Sequence, residues 1–501
     1  MKKLILSLSI TLLSLSLVQA QYGEDAFRFS QYNNYGTARS LGMGGAFTAL
    51  GGDASSSIVN PAGLGFYNRS EFSISPVFRN LTTTSTYLGT SSNRSSSNFG
   101  LGQASVVFSK PGRSGKIKRS NFGISYNTLV NFNNEHAYSG TNERSSIMDA
   151  FALETSNSGA TPTDLDNEFQ PSNVPNQGFA DTREAMYYWS YLINPFEDGY
   201  TVGELTLPVY QEGVVSESGN LGQLNLSYAA NLGDKTYLGA SLGLQTLNYN
   251  MESDHYEQFD NAEVINEFMI SDDLIVSGFG ANLSLGAIFK ASRNVNVGVN
   301  LTTPTILGAK ETFYSTVQIN PVEGAIEPDN LYTTVESLPN DFKYNITSPL
   351  RANAGVSYML PKKIGMLSVQ AEYVGYKGMG IKNKDLSQWS DEQTNAIASD
   401  YNNVVNIKGG LELRKSNFRL RGGLNYLGDP INANDGVDRS KLIVSGGLGY
   451  RSPKFFIDAA YSANTFDSAY TPYVLSNEVD FDSSLISNKS GNLSFTIGTF
   501  F

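Results

Sequence analysis

Residues 37–66 read TARSLGMGGAFTALGGDASSSIVNPAGLGF. The stretch is rich in Gly, Ala and Ser and carries few charges. Gly42, Gly44, Gly45, Gly51, Gly52, Gly63 and Gly65 let the backbone approach its surroundings closely and reach positive φ at little cost. A segment of this kind suits a compact piece pressed against something larger, and makes a poor free-standing domain. Asn60-Pro61-Ala62 reads locally as an Asn-capped helix start with Pro in the first turn.

Working outward toward the N-terminus, Lys2 and Lys3, an apolar core from Leu4 to Val18, and Val18-Gln19-Ala20 form a secretory signal peptide over 1–20. Residue 21 is Gln, so no lipoprotein cysteine follows. Neither the leader nor any later run reaches the roughly 20 apolar residues of a membrane helix. Residues 21–69 form a lead and the Gly-rich segment, and 70–501 form the rest. From about Glu71 the pattern alternates with period 2, in segments divided by turn residues, as transmembrane barrel strands do. Fourteen such segments are expected, at 70–79, 98–109, 120–133, 222–232, 235–251, 273–291, 293–307, 350–360, 365–378, 402–414, 417–428, 440–451, 454–466 and 491–501. Short links (LGD, ASRN, PKKI, RKSN, RSPK) alternate with long polar ones, which fits periplasmic turns and outer loops.

One face of each strand is apolar. Phe418, Leu420, Leu424 and Tyr426 are expected outside, with Arg419, Arg421 and Asn425 inside. Val405, Ile407, Leu411 and Leu413 face out, against Lys408, Glu412 and Arg414. Charge on a lipid face would cost a few kcal/mol near the midplane, so the polar face lines a lumen. Lys408, Glu412, Arg414, Arg419 and Arg421 are thus expected as lumen charges near the periplasmic end, with Asp53 a partner for the surplus cations. In 98–109 the alternation slips beside Gly100 and Gly102, which suggests a β-bulge.

Gly42-Met43-Gly44-Gly45-Ala46-Phe47, then Asp53-Ala54, then Asn60-Pro61-Ala62-Gly63-Leu64, placed between a signal peptide and a run of strands, resemble the N-terminal hatch of the outer-membrane long-chain fatty acid transporter (FadL) family. The resemblance implies a 14-stranded antiparallel barrel plugged by that hatch. It also implies passive transport of hydrophobic small molecules, fatty acid-like or aromatic hydrocarbon, across the Gram-negative outer membrane. The expected route is an outer apolar site, a lumen pocket and a lateral exit, here placed near the second and third strands. Candidate contacts are Met148, Phe151, Met186, Trp189 and Leu192 in the outer loop, then Met43 and Phe47 of the hatch. Outer-membrane lipid, lipopolysaccharide and the barrel-assembly machinery, which would read the terminal aromatic strand, are the expected partners. An alternative is a non-transporting barrel of a secretion or surface-attachment system.

Ser146 with Asp149, and Asp181 with Glu184, read as capping boxes for two helices in the link 134–221. A third short helix is expected near Trp389. Other chemistry finds little support. A pI near 4.8 and net charge of −12 leave no basic stripe for nucleic acid. There is no cysteine, and His136 and His255 are the only histidines. Gly239-Ala240-Ser241-Leu242-Gly243 matches a nucleophile pattern but lies within an alternating strand, without the elbow the motif needs. Carboxylates over 252–273 match no Ca²⁺ loop and read as a solvated run. No enzyme activity, cofactor or metal is expected.

Overall fold

A computed structural model describes residues 19–32, 36–112, 115–203, 207–327, 331–433, 435–477 and 480–501. Residues 1–18 of the expected leader lie outside the described residues. Period-2 alternation becomes a closed antiparallel barrel of fourteen strands: β1 Glu71–Tyr87, β2 Thr90–Pro111, β3 Ile117–Asn131, β4 Val209–Leu232, β5 Thr236–Phe259, β6 Ile265–Lys290, β7 Val295–Thr302, β8 Leu350–Met359, β9 Gly365–Gly375, β10 Val404–Lys415, β11 Phe418–Leu427, β12 Lys441–Arg451, β13 Phe455–Tyr470 and β14 Ser484–Phe500. Each pairs with its neighbour in sequence, and β14 closes on β1 from Glu71↔Phe500 to Thr86↔Leu485. Phe501 finishes the seam by exchanging backbone hydrogen bonds with Ser70, at 3.0 and 3.1 Å. Closure gives every strand a partner on both sides, as a wall in lipid requires, where each unsatisfied backbone group would cost several kcal/mol.

The two faces separate as the alternation requires. Phe418, Leu420, Leu424 and Tyr426 are exposed on the lipid side, as are Val405, Ile407, Leu411 and Leu413. Lys408, Glu412 and Arg421 are buried inside. Ser241 faces inward in β5 and meets Ser227 at 2.8 Å, an ordinary wall contact. The expected bulge is present. Ser75 pairs with Gln103 and Pro76 with Leu101, so Gly102 is the extra residue, and Gly102 and Gln103 both turn inward.

Several strands overrun the expected limits because their alternation continues in polar residues beyond the apolar belt. The stretch expected as an acidic loop at 252–272 is a strand hairpin that turns over 260–264, with Glu252 opposite Asp273 and Glu257 opposite Phe268 on β5 and β6. The link 81–97 is the top of a β1–β2 hairpin turning at Leu88-Gly89. The segment 293–307 is not one strand: β7 stops at Thr302, and a separate strand Ile306–Pro321 pairs with the upper part of β6.

Above the barrel, helices α4 Ile147–Ser158, α5 Pro162–Asn167 and α6 Arg183–Trp189 form an outer cap. Inside the lumen, beneath that cap, α1 Gln19–Arg28, α2 Ala38–Gly42 and α3 Ser56–Val59 belong to the N-terminal segment. The Ser146–Asp149 capping box is present at α4. The second helix is capped by Thr182 rather than Asp181, because the Thr182 side chain accepts from Ala185 N. It also ends at Trp189, before Asn194-Pro195. A second capping box, Thr161 with Asp164, starts α5. The expected helix near Trp389 is α7, Ser387–Asp400.

Candidate functional site

Residues 36–67 lie against the inner wall, and the wall is shaped for them. Inward-facing Gly410 and Gly423 are a cross-strand pair on β10 and β11. A Cβ on Gly423 would stand 2.1 Å from Gly44 N, and one on Gly410 would stand 2.4 Å from Met43 O. Gly298 meets Thr48 O, Gly286 meets Asn60 Oδ1 and Gly239 meets Pro61 in the same way. Gly44 itself sits at φ +64°, where a side chain would be strained. Backbone therefore rests on backbone, which glycine alone permits on both sides.

Polar contacts fix the orientation. Asn60 is fully buried, and its Nδ2 donates to Thr48 O at 2.6 Å and to Val299 O on β7 at 3.2 Å. Its Oδ1 accepts from Ala62 N, capping a 3₁₀ turn over Pro61–Phe66 that has Pro61 in its first turn. Gln370 on β9 accepts from Phe47 N and Thr48 N, each at 3.1 Å. Ala38 N donates to Thr496 on β14 at 2.7 Å.

Glu412 is the electrostatic centre. It accepts from Arg421 and Arg414 at 2.8 Å each and from Arg39 of the inner segment at 3.1 Å. Arg421 is also paired with Asp458 at 2.6 Å. Asp53 does not meet the wall cations expected for it. It accepts from Thr37 and Ser55 N, and its nearest guanidinium is Arg39 at 3.8 Å. Arg419 is not drawn into the cluster either; it folds under the turn onto the carbonyls of Ser416 and Phe418. Higher in the lumen, Glu372 accepts from Lys408 at 2.9 Å and Arg351 at 3.4 Å. Arg351 in turn donates to Ser30 O at 2.6 Å and lies over the Tyr32 ring. Arg39, Arg351, Glu372 and Asp458 were not singled out in the sequence. Their inward parity on the strands, and the lone cation of the Gly-rich run, were the signals available.

Between the inner segment and the cap lies a cavity of about 1280 Å³. Its floor includes Leu41, Gly45 and Val59, and its roof Ile147 and Phe151. Among the candidate contacts, Phe151 lines it. Met43 and Phe47 instead turn to the wall and pack with Leu50, Val59 and Met366. Met148, Met186 and Leu192 are interior to the cap, and Trp189 stacks on Phe169 at 4.2 Å. Gly42 touches Gly447, and Ala62 packs with Tyr237 and Ile288.

The cavity is amphipathic. Phe27, Met251 and Tyr470 share it with Arg28, Glu217 and Lys441. His136 also lines it, only 6% exposed, and neither ring nitrogen has a hydrogen-bond partner among the described residues. Burial pushes its pKa below the usual value, so the ring is neutral near pH 7. A smaller cavity of about 130 Å³ shares Lys441 and Phe466 with the large one. It reaches Ser96 and Asn98 on β2 and Leu129 and Asn131 on β3. There the β2–β3 ladder has ended: the last pair at that side is Gln103↔Asn127. Above it, among the described residues, only side chains bridge: Thr128 to Leu101 O at 2.6 Å, Asn131 to Asn98 at 3.3 Å and Ser96 to Asn133 O at 3.5 Å.

No protein-family model matches the sequence, and no curated protein matches it. Solved structures do resemble the fold. A Pseudomonas aeruginosa FadL homologue aligns with a TM-score of 0.55 at 12% identity, over 93% of this chain and 99% of its own. The Pseudomonas putida toluene transporter TodX aligns at 0.52 and 12% identity, over 93% of this chain and 98% of its own. A closed fourteen-strand barrel with an apolar outer belt is a transmembrane protein of the Gram-negative outer membrane. Its fold is that of the FadL-type outer-membrane barrels.

Proposed function

We propose that the protein passively passes hydrophobic small molecules with a polar end, of the fatty-acid kind, from the cell surface into the outer membrane. The observation that carries this reading is the seam above Gln103↔Asn127, which borders the small cavity that shares Lys441 and Phe466 with the large one. A strand pair without its ladder parts at the cost of three side-chain hydrogen bonds, on the order of 1 kcal/mol each. Elsewhere the wall would have to break backbone pairs in lipid. Residues 36–67 serve as the plug that blocks the periplasmic outlet, so the sideways seam is the way out. No energy source is needed for downhill flow.

The cavity suits an amphiphile better than a bare hydrocarbon. Phe151, Phe27 and Met251 offer apolar area, while His136 has an unused donor and an unused acceptor for a polar head. Met148, Met186, Trp189 and Leu192 hold the cap that presents Phe151. Phe501 and the terminal strand are what assembly machinery would read.

The test uses the absence of native cysteine. Asn98→Cys with Asn131→Cys, bridged by a short bis-methanethiosulfonate cross-linker that a reductant cleaves, should abolish uptake of a fluorescent fatty acid and leave its surface binding intact. Cleavage of the bridge should restore uptake. Full uptake with the bridge confirmed would refute the seam route. No fatty-acid uptake by the parent protein, with a client protein retained at its outer face, would favour the secretion reading.

A further inference from the structure

The lipid-facing wall carries a recess at the short-turn end of β10–β13. It measures about 810 Å³ and is walled by Leu413, Leu420, Leu448 and Ile457, with Ala459 in its lining. Small outward residues create it. Ala459 is short, and next in register Gly422 pairs with Gly446, where an added Cβ on Gly422 would meet nothing within 4 Å. The recess therefore continues up the wall as a slot about one side chain deep.

At its lower end Phe418, Tyr450 and Phe455 form an aromatic rim, with ring centroids 5.4 and 6.0 Å apart. Such rings mark the level of the headgroups. Lys415 and Arg419 line the same recess, and Lys454 precedes Phe455 in the adjoining turn. None of the three has an ion pair among the described residues, whereas the neighbouring Arg414 is held by Glu412. Among the described residues, no carboxylate lines the recess. Short turns of an outer-membrane barrel face the periplasm. Cations outnumber carboxylates in the other short turns, with Arg293, Lys362 and Lys363 unopposed there and Asp234 beside Lys235, although the chain as a whole is acidic.

An apolar slot opening at headgroup level onto uncompensated cations is complementary to one kind of partner. We propose that it binds one anionic glycerophospholipid of the periplasmic leaflet. The headgroup phosphate sits on Lys415, Arg419 and Lys454, and an acyl chain runs past Leu420 and Leu448 toward Gly422 and Gly446. An uncharged or zwitterionic headgroup would leave the cations with no net counter-charge, and a free phosphate would leave the slot empty. Each cation near an anionic headgroup adds on the order of a few-fold in affinity.

The test is native mass spectrometry of the full mature barrel, delipidated in detergent and titrated separately with dioleoyl phosphatidylglycerol, dioleoyl phosphatidylcholine and glycerol phosphate. Phosphatidylglycerol should be retained as a single adduct at about tenfold lower concentration than phosphatidylcholine. Lys415→Gln with Lys454→Gln should reduce that preference several-fold. Ala459→Trp, which fills the slot and keeps every charge, should reduce retention of phosphatidylglycerol as well. Heat-modifiable migration on gels shows that each variant is a folded barrel. Equal retention of the two lipids, no effect of either variant, equal binding of glycerol phosphate, or displacement by an acidic peptide but not by phosphatidylglycerol would each overturn the proposal.

Discussion

The paired glycines Gly410 and Gly423 give the sharpest perturbation of the inner segment. Replacing both by Ala adds two methyl groups on the lumen side of β10 and β11 and nothing on the lipid side. The Gly423 methyl would stand 2.1 Å from Gly44 N, and ordinary contact begins near 3.4 Å, so Gly44 must retreat by about 1.3 Å. The Gly410 methyl would press on Met43 O at 2.4 Å and Met43 Cβ at 2.9 Å, from the same side. Overpacking of this kind costs about 1–3 kcal/mol per site, and here both sites push one short piece of backbone. The wall itself tolerates Ala, so the strain falls on residues 36–67. In planar bilayers the double variant should conduct at a level the parent does not reach, and trypsin on the periplasmic side should cut after Arg39, which is only 5% exposed in the parent. Gly409→Ala with Gly422→Ala is the matched control, because a Cβ at either meets nothing within 4 Å. If the two double variants gave the same conductance and the same trypsin resistance, the cradle would not be what seats the segment.

Three further outcomes follow from the charged and polar groups. Glu412→Gln leaves Arg39, Arg414 and Arg421 facing one another without their shared carboxylate, at a cost of about 3–5 kcal/mol, and should expose Arg39 to trypsin in a folded barrel; unchanged resistance would remove Glu412 as the anchor. Asp25 sits at the upper lumen with its pKa raised to about 6, chiefly by burial, against the opposing pull of Arg28 and the Tyr344 hydroxyl. Its folded pKa is above the unfolded one, so its contribution is fully present below about pH 4 and is lost as pH rises through about 6. Hydrogen exchange of residues 23–32, corrected for intrinsic rates, should accelerate from pH 5 to pH 8, and Asp25→Asn should flatten that rise. His136→Phe keeps the cavity's apolar area but removes both free ring nitrogens, so fatty-acid binding should weaken by about tenfold, or 1.4 kcal/mol; tighter or equal binding would deny His136 a role at the polar head.

The alternation of β10 and β11 could be read from sequence because parity alone decides whether Leu413 or Glu412 meets lipid, and burying a charge there is too costly for any other register. The closed even-stranded barrel, the bulge at Gly102 and the Ser146 cap are consequences of local pattern in the same sense. What sequence could not supply is which inward groups meet across the lumen. Arg39 and Glu412 are 373 positions apart, and only closure of the sheet brings them to 3.1 Å. Asp53 was assigned the wrong partner for that reason: a local Thr37 hydroxyl and Ser55 amide reach it before any wall cation does. Met43 and Phe47 could not be told from cavity-lining residues, because an apolar side chain carries no mark of which side of a buried segment it takes. The strand ends were misplaced where alternation runs on in polar residues, since outside the bilayer water no longer penalises either face. Sequence by itself thus determined the strands, their faces and the Gly-rich run, all set by single-residue chemistry against lipid or backbone. Tertiary structure decided the seating of that run, the cavity above it and the seam beside it, because each depends on distances that exist only after the barrel has closed.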